Sequence, residues 1–338
     1  MRTDLRSDTF TRPGEDMLKA MMKAEVGDDV FGEDPTVNRL EEQIAGLFNM
    51  EAALFCPSGT MTNQIAIKCH TQPGQEIICD KTSHVFVYEG GGIAFNSGCQ
   101  ARTIEGERGR IDARQVAEAI NTDDIHKPPT RLVCLENTAN RGGGSIYDPA
   151  EIMNIREVCN NHDLSLHLDG ARLWNAMDAS AEGPGWYGNV FDSISVCMSK
   201  GMGAPVGSLL LGNAAFIKHA RRVRKVFGGG MRQAGYMAAA ALFALEHNRK
   251  RLAEDHHHAK MIAAALLEKS FIGRMLPVET NILIFEVKDA YTPHTFSSFL
   301  AERDIHCLAI SNSEVRMVTH LDVTPEMVGN LVEVIRLM

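Results

Sequence analysis

No apolar run in the 338-residue chain reaches the roughly 18 residues that a membrane-spanning helix needs. The opening MRTDLRSDTF mixes acids and bases where a secretion signal carries an unbroken apolar stretch. The expectation is a cytoplasmic protein without a membrane segment. An excess of positive charge is also missing: 34 Lys and Arg against 43 Asp and Glu leave a net charge of −9. Such a field repels phosphate backbones and argues against nucleic-acid binding. The one basic cluster, Arg221, Arg222, Arg224 and Lys225, reads first as an exposed helix face. The eight cysteines never lie closer than ten residues, so no C-x-x-C pair exists for zinc or redox chemistry. The neighbours His256, His257 and His258 point in different directions on a helix and cannot share one ion, so no metal site is expected. Repeats and low-complexity tracts are absent too.

What is present is an ordinary globular composition, 44% hydrophobic and 23% charged, with β-branched segments alternating with helical ones. That alternation predicts an α/β domain. One helix is marked by Asp34 as its cap, Pro35 at its first position and Val37, Leu40, Ile44 and Leu47 at helical spacing. A second follows the short apolar segment AALFC and starts near Gly59 and Thr60. Buried strands are expected at 76–79, 131–136, 164–169, 193–199 and 208–212, each a short apolar run with polar or glycine-rich flanks. After an alanine-rich helix around 237–247 and a charged one around 251–268, TNILIFEV and EVRMVTHLDV read as strands of a smaller α+β unit. The expected division is residues 1–250, an N-terminal arm and a large α/β domain, and residues 251–338, a small C-terminal domain.

The chemistry is expected at strand ends. Asp169 closes the buried strand LSLHLD, where open α/β sheets bind ligands; an aspartate capping the next helix is the competing reading. Lys200 follows another buried strand and precedes a glycine-rich turn. A partly desolvated amine there is a nucleophile able to form a Schiff base with an aldehyde, whereas a solvated loop lysine is the plain alternative. The glycines at 201, 203 and 207 are spaced one residue too widely for a dinucleotide fingerprint. Together Lys200, Asp169 and the helix start at Ser58, Gly59 and Thr60 supply what pyridoxal 5′-phosphate (PLP) requires: a lysine for its aldehyde, a carboxylate for its ring nitrogen, and helix-end N–H groups for its phosphate. His84 offers a flat face for the ring, or is a solvated loop histidine.

These residues lie in motifs that resemble, along nearly the whole chain, the low-specificity L-threonine aldolases of the PLP-dependent β-eliminating lyase and aldolase superfamily. The likeness runs through DLRSDTFTRP at 4–13, GDDVFGEDPTVNRLE at 27–41, SGTMTNQ at 58–64, LENT at 135–138, HLDGARLWNA at 167–176, SKGMGAPVGSLL at 199–210 and VRMVTHLD at 315–322. The resemblance implies an aspartate-aminotransferase-like large domain (fold type I). It makes Lys200 the Schiff-base lysine, Asp169 the partner of the ring nitrogen and His84 the residue stacked on the ring, with Gly59 and Thr60 on the phosphate. Arg172 and Arg316, with Ser7, match binders of the substrate carboxylate. Tyr88, Glu89 and His126 would line the substrate side. A homotetramer with shared active sites is implied, with Lys225 and Arg232 lent to a neighbour's phosphate. One departure stands out: where the family commonly continues LENT with His and Asn, this chain has Ala139 before Asn140.

The expected reaction is retro-aldol cleavage of L-threonine, L-allo-threonine and related β-hydroxy-α-amino acids to glycine and an aldehyde. His84, acting with Glu89, and His126 are the two candidate bases for the β-hydroxyl proton. β-Elimination, racemisation and transamination on the same cofactor are the nearest rivals, and a catalytically silent cofactor-binding protein is the rival of another class.

Overall fold

A computed structural model of the chain describes residues 2–338. In chain order its strands are β1 (Thr3–Asp4), β2 (Ala52–Cys56), β3 (Glu76–Asp80), β4 (Gln100–Ile104), β5 (Thr130–Glu136), β6 (Ser165–Gly170), β7 (Ser193–Cys197) and β8 (Ser208–Gly212), then β9 (Ile272–Met275), β10 (Ile282–Val287), β11 (Ile305–His306), β12 (Leu308–Ala309) and β13 (Glu314–Val318). β2 to β8 form a seven-stranded sheet in the order β2-β8-β7-β6-β5-β3-β4. Only β8 runs against the others, being antiparallel to both β2 and β7 while the remaining pairings are parallel. Strands β3, β7 and β8 are buried at every position, which is why they read as unbroken apolar runs. β4 does not: it is the exposed edge strand, QARTI, and its polar composition left no signal to read.

The first marked helix forms as expected, Pro35–Leu47, with Asp34 accepting from the N–H groups of Thr36 and Val37 at 3.1 and 3.0 Å. The second is Gly59–His70, capped by Ser58, whose hydroxyl accepts from the Met61 N–H at 3.2 Å. Helices Gly235–His247 and Leu252–Leu267 also match their sequence signals.

The C-terminal unit carries a four-stranded antiparallel sheet, β12-β13-β10-β9, over its own hydrophobic cluster, which includes Ile262, Phe285, Phe296, Leu300 and Leu331. Leu252 packs in the core of the large sheet, whereas Ala259 and Ile262 pack in the smaller core, so the change of core falls within helix Leu252–Leu267. The N-terminal arm departs from the sequence reading. β1 pairs with β11, Thr3 opposite Ile305, and Leu5 is buried in the smaller core, so the first residues join the C-terminal unit. A two-residue strand has too little pattern to announce its partner. From there the arm crosses to the large sheet, where the Thr11 hydroxyl donates to the backbone oxygen of Lys200 at 3.3 Å.

Candidate active site at the carboxyl edge of the sheet

One edge of the large sheet collects the carboxyl ends of its parallel strands. β2 ends before Ser58 and Gly59, β3 before His84, β5 at Glu136, β6 at Asp169 and Gly170, and β7 ends before Lys200. This is where open α/β sheets place ligands. The sharp turn that carries Lys200 is closed by the Gly203 N–H donating to the Lys200 carbonyl at 2.7 Å. Gly203 has a φ of +81°, a conformation that suits glycine. The Lys200 amine is half-buried and lies 3.6 Å from Cys197 Sγ.

Asp169 is buried and held from two sides: Asn63 Nδ2 donates to its Oδ2 at 2.9 Å and the Ala171 N–H to its Oδ1 at 3.1 Å. The Ala171 bond lies in the turn before helix Leu173–Ala179, whose N-cap is Arg172 without a side-chain cap, so Asp169 does not cap the next helix. Asn63 Nδ2 also donates to Glu89 Oε1 at 2.9 Å, Gln64 Nε2 donates to Glu89 Oε2 at 2.6 Å, and His84 Nδ1 lies 2.9 Å from Glu89 Oε1. Glu89 is thus buried behind His84 and backs it rather than lining the substrate side, as the resemblance had implied. Burial pulls the His84 pKa down, but the hydrogen bond to Glu89 and the charges of Asp169, Glu89 and Glu136 outweigh it and leave it above the ordinary histidine value. Tyr88 stands beside this histidine, ring centroids 5.6 Å apart, and accepts a hydrogen bond from Arg141 Nε.

Glu136 sits directly opposite Asp169 on the adjacent strand. Burial and the Asp169 charge push its carboxyl up to about 7, while its oxygens accept the N–H groups of Asn140 and His84 at 2.9 and 2.8 Å. It fixes the backbone under His84 and next to Asn140.

Arg172 corrects an expectation. Its Nε and Nη2 both donate to Asp8, each at 2.7 Å, so the fork assigned to a substrate carboxylate is already filled by a residue of the N-terminal arm. Burial alone would raise the Asp8 pKa; the Arg172 charge and hydrogen bonds hold it down to about 2. Ser7, beside it, caps the Asp8–Phe10 turn, its hydroxyl accepting from the Thr9 N–H at 3.3 Å. Arg316 is the freer guanidinium. Its Nη1 and Nη2 donate to Asn140 Oδ1 at 2.9 Å and the Arg6 carbonyl at 3.0 Å, while its Nε is buried with no partner among the described residues. Burial and the Arg172 charge push its pKa down to about 10, which marks a cation short of counter-charge. Ala139 is buried, and a Cβ added at Gly109 would stand 2.9 Å from its Cβ.

PLP fits these residues on three observations. Ser58 takes the Met61 N–H through its side chain and the Thr62 N–H through its carbonyl, which leaves the leading N–H groups of Gly59 and Thr60 for an external anion. Ser208 Oγ, buried and without a partner among the described residues, lies beside Gly59, where an added Cβ would approach it to 3.5 Å. Asp169 presents a buried carboxylate on the same edge.

One expected site residue, His126, is not brought to this edge. His126 is in the loop before β5, its side chain 83% exposed and its Nδ1 bonded to Asp124 Oδ1 at 2.8 Å. The seven residues of β5, about 20 Å of strand, separate that loop from Glu136. Lys225 lines a basic cavity with Arg221, Arg222 and Arg224, in a segment that reaches the Phe55 carbonyl and Met61 beside the Gly59 helix start, and Arg232 is exposed and paired with Asp28 at 2.8 Å. Sequence reasoning missed Asp8, Asn63, Glu136 and Ser208. All four stand inside or beside the recognised motifs, and their only signal was polarity at positions a core would otherwise fill.

This is the aspartate-aminotransferase-like architecture, fold type I of the PLP-dependent enzymes: threonine aldolase of Leishmania major superposes with a TM-score of 0.85 at 22% identity, covering 99% of this chain and 98% of that one. A serine palmitoyltransferase of Sphingomonas wittichii shares the fold at a TM-score of 0.76 and 15% identity, covering 99% of this chain and 86% of that one. The chain belongs to the beta-eliminating lyase family, whose model matches residues 4–290. Low-specificity L-threonine aldolase 1 of Arabidopsis thaliana is 42% identical over 328 residues, 95% of this chain and 92% of that protein. Low specificity L-threonine aldolase of Escherichia coli K12 is 41% identical over 329 residues, 97% of this chain and 96% of that protein.

Proposed function

We propose that this chain is a PLP-dependent aldehyde-lyase that cleaves L-threonine, L-allo-threonine and related β-hydroxy-α-amino acids to glycine and an aldehyde. The observation that carries it is the convergence of Lys200, Asp169 and the Gly59 helix start on one sheet edge, to which the under-compensated Arg316 reaches from β13 through Asn140; the names of its relatives favour aldol cleavage over elimination, racemisation or transamination. Lys200 would hold the cofactor's aldehyde end, Asp169 its ring nitrogen, His84 its face, and Ser58, Gly59, Thr60 and Ser208 its phosphate. When bound, the cofactor supplies an electron sink for the pair released from the Cα–Cβ bond.

The chain's own residues do the rest. Arg316, helped by the one Arg172 nitrogen not bonded to Asp8, anchors the substrate carboxylate and fixes rotation about Cα, which selects the bond to be broken. Glu89 accepts the Nδ1–H of His84 and so leaves Nε2 as the acceptor for the β-hydroxyl proton. Replacing His84 by Asn is expected to lower kcat at saturating threonine about 100-fold. A base must be unprotonated, and the His84 pKa is raised, so the activity of the native enzyme should fall as pH drops through a value above about 6.5. A profile flat from pH 8 to 6, on an enzyme that stays folded there, removes His84 from that role.

Cytoplasmic location, a homotetramer with shared active sites and a domain boundary near residue 250 belong to the same proposal. The exposed Lys225, Arg232 and His126 are available to a neighbouring copy. Two separate hydrophobic cores support the division, and no helix among the described residues is long and apolar enough to cross a membrane.

The test is to offer the purified, PLP-loaded protein L-threonine, L-allo-threonine and their D-isomers and to assay glycine and acetaldehyde. Equimolar glycine and aldehyde from the L-substrates are expected. A keto acid as the product would replace the aldolase reading with one of its rivals.

A further inference from the structure

We propose that a buried chain of side chains, His70, Ser193, His167 and Asn63, aligns its hydrogen bonds toward Asp169 and holds that carboxylate ionised and fixed, which makes His167 and Ser193 positioning residues for the reaction. The proposal rests on the reading of Asp169 as partner of the cofactor's ring nitrogen.

The contacts run without a gap. Asn63 Nδ2 donates to Asp169 Oδ2 at 2.9 Å, and His167 Nε2 lies 3.1 Å from Asn63 Oδ1. On the far side of the imidazole, His167 Nδ1 lies 2.8 Å from Ser193 Oγ, and His70 Nε2 lies 2.7 Å from the same hydroxyl. Helix Gly59–His70 supplies both ends, Asn63 in its second turn and His70 as its last residue. The sheet supplies the middle, because His167 and Ser193 stand directly opposite each other on β6 and β7. His167 and Ser193 are fully buried and Asn63 almost so. Polar side chains placed so deep cost desolvation energy unless each is hydrogen-bonded, and here each is.

Chemistry fixes the direction of the chain. The Asn63 amide nitrogen lies 2.9 Å from an oxygen of each of Glu89 and Asp169, and its oxygen is turned to His167. His167 Nε2 therefore carries a proton. Burial pushes the His167 pKa down to about 3, so the ring is neutral and Nδ1 is bare. The Ser193 hydroxyl must donate to Nδ1, and its oxygen then accepts from His70 Nε2–H. Every hydrogen points toward Asp169. Aligned hydrogen bonds polarise one another, and bonds made to a carboxylate favour its charged form.

The test combines 15N spectra of the histidine side chains, in cofactor-free protein and holoenzyme, with a pH titration of the holoenzyme's visible absorbance and the kinetics of threonine cleavage. A His167 proton on Nε2 throughout the neutral range is expected. His167→Phe should lower kcat about tenfold with little change in KM and move the absorbance midpoint by about one pH unit. His167→Gln, which keeps a donor and an acceptor, should restore most of both. Ser193→Ala should move the midpoint in the same direction by less, and it carries the test should His167→Phe fail to fold. A His167 proton found on Nδ1, or an absorbance midpoint and kcat unchanged in the variants, overturns the proposal. Tautomer and midpoint are read without substrate, so a protein that cleaves no β-hydroxy amino acid would refute the aldolase reading while leaving this one decided on its own terms.

Discussion

Lys200→Ala is expected to reduce threonine cleavage by at least about 10³-fold, roughly 4 kcal/mol of barrier, and to abolish the visible absorbance of covalently held cofactor. The fold should survive. Thr11 and Gly203 bond the backbone oxygen of residue 200, not its side chain, so the turn keeps its contacts, and the amine's hydrogen-bond partner among the described residues is the Cys197 sulfur at 3.6 Å. The measurement is an absorbance spectrum of the loaded variant beside its circular dichroism and turnover. Wild-type absorbance and turnover in the variant would remove Lys200 from the centre of the site, and with it the reading of Asp169 as its counterpart.

The second large effect is on stability. Asp8→Ala strips the buried Arg172 of its counter-ion and should cost about 3–5 kcal/mol in urea unfolding, because an unpaired buried guanidinium cannot recover its hydration. Arg172→Met added to Asp8→Ala should return part of that loss, since removing both charges removes the penalty of leaving one behind. The pH dependence has a definite sign. The folded Asp8 pKa is depressed to about 2, so its contribution is complete above the unfolded value near 4 and is lost as pH falls from about 4 to about 2. An Asp8→Ala chain that unfolds at the wild-type urea concentration would show that the pair contributes nothing. Because Asp8 lies on the arm whose first strand pairs with β11, the same substitution probes how the small unit is tied to the site.

Much of this was legible in order along the chain. Asp34 and the periodic apolar residues after it marked one helix whose cap forms as read, and the segment after AALFC marked the start of a second, to which the structure adds the Ser58 cap. The buried strands announced themselves as apolar runs, and the polar residues closing β6 and following β7, Asp169 and Lys200, stand on the functional edge, whereas β8 runs the other way and ends at the opposite edge. Strand β4 stayed hidden because an exposed edge carries no apolar pattern. The sequence also gave no hint that Arg172 already had a partner, since 164 residues separate it from Asp8.

Local sequence supplied the inventory: a lysine following one buried strand and an aspartate closing another, a helix start for an anion, and motifs enough to recognise the family, which brought the arginines for a carboxylate with them. Tertiary structure alone decided how those groups are spent. It gave Arg172 to Asp8 and left Arg316 short of charge, put Glu89 behind His84, and sent His126 to the opposite edge of the sheet. The physical reason is that local pattern reports burial and backbone conformation, which depend on neighbours in sequence. Charge pairing and hydrogen-bond direction depend on atoms about 3 Å apart in space, and only the folded chain brings those together.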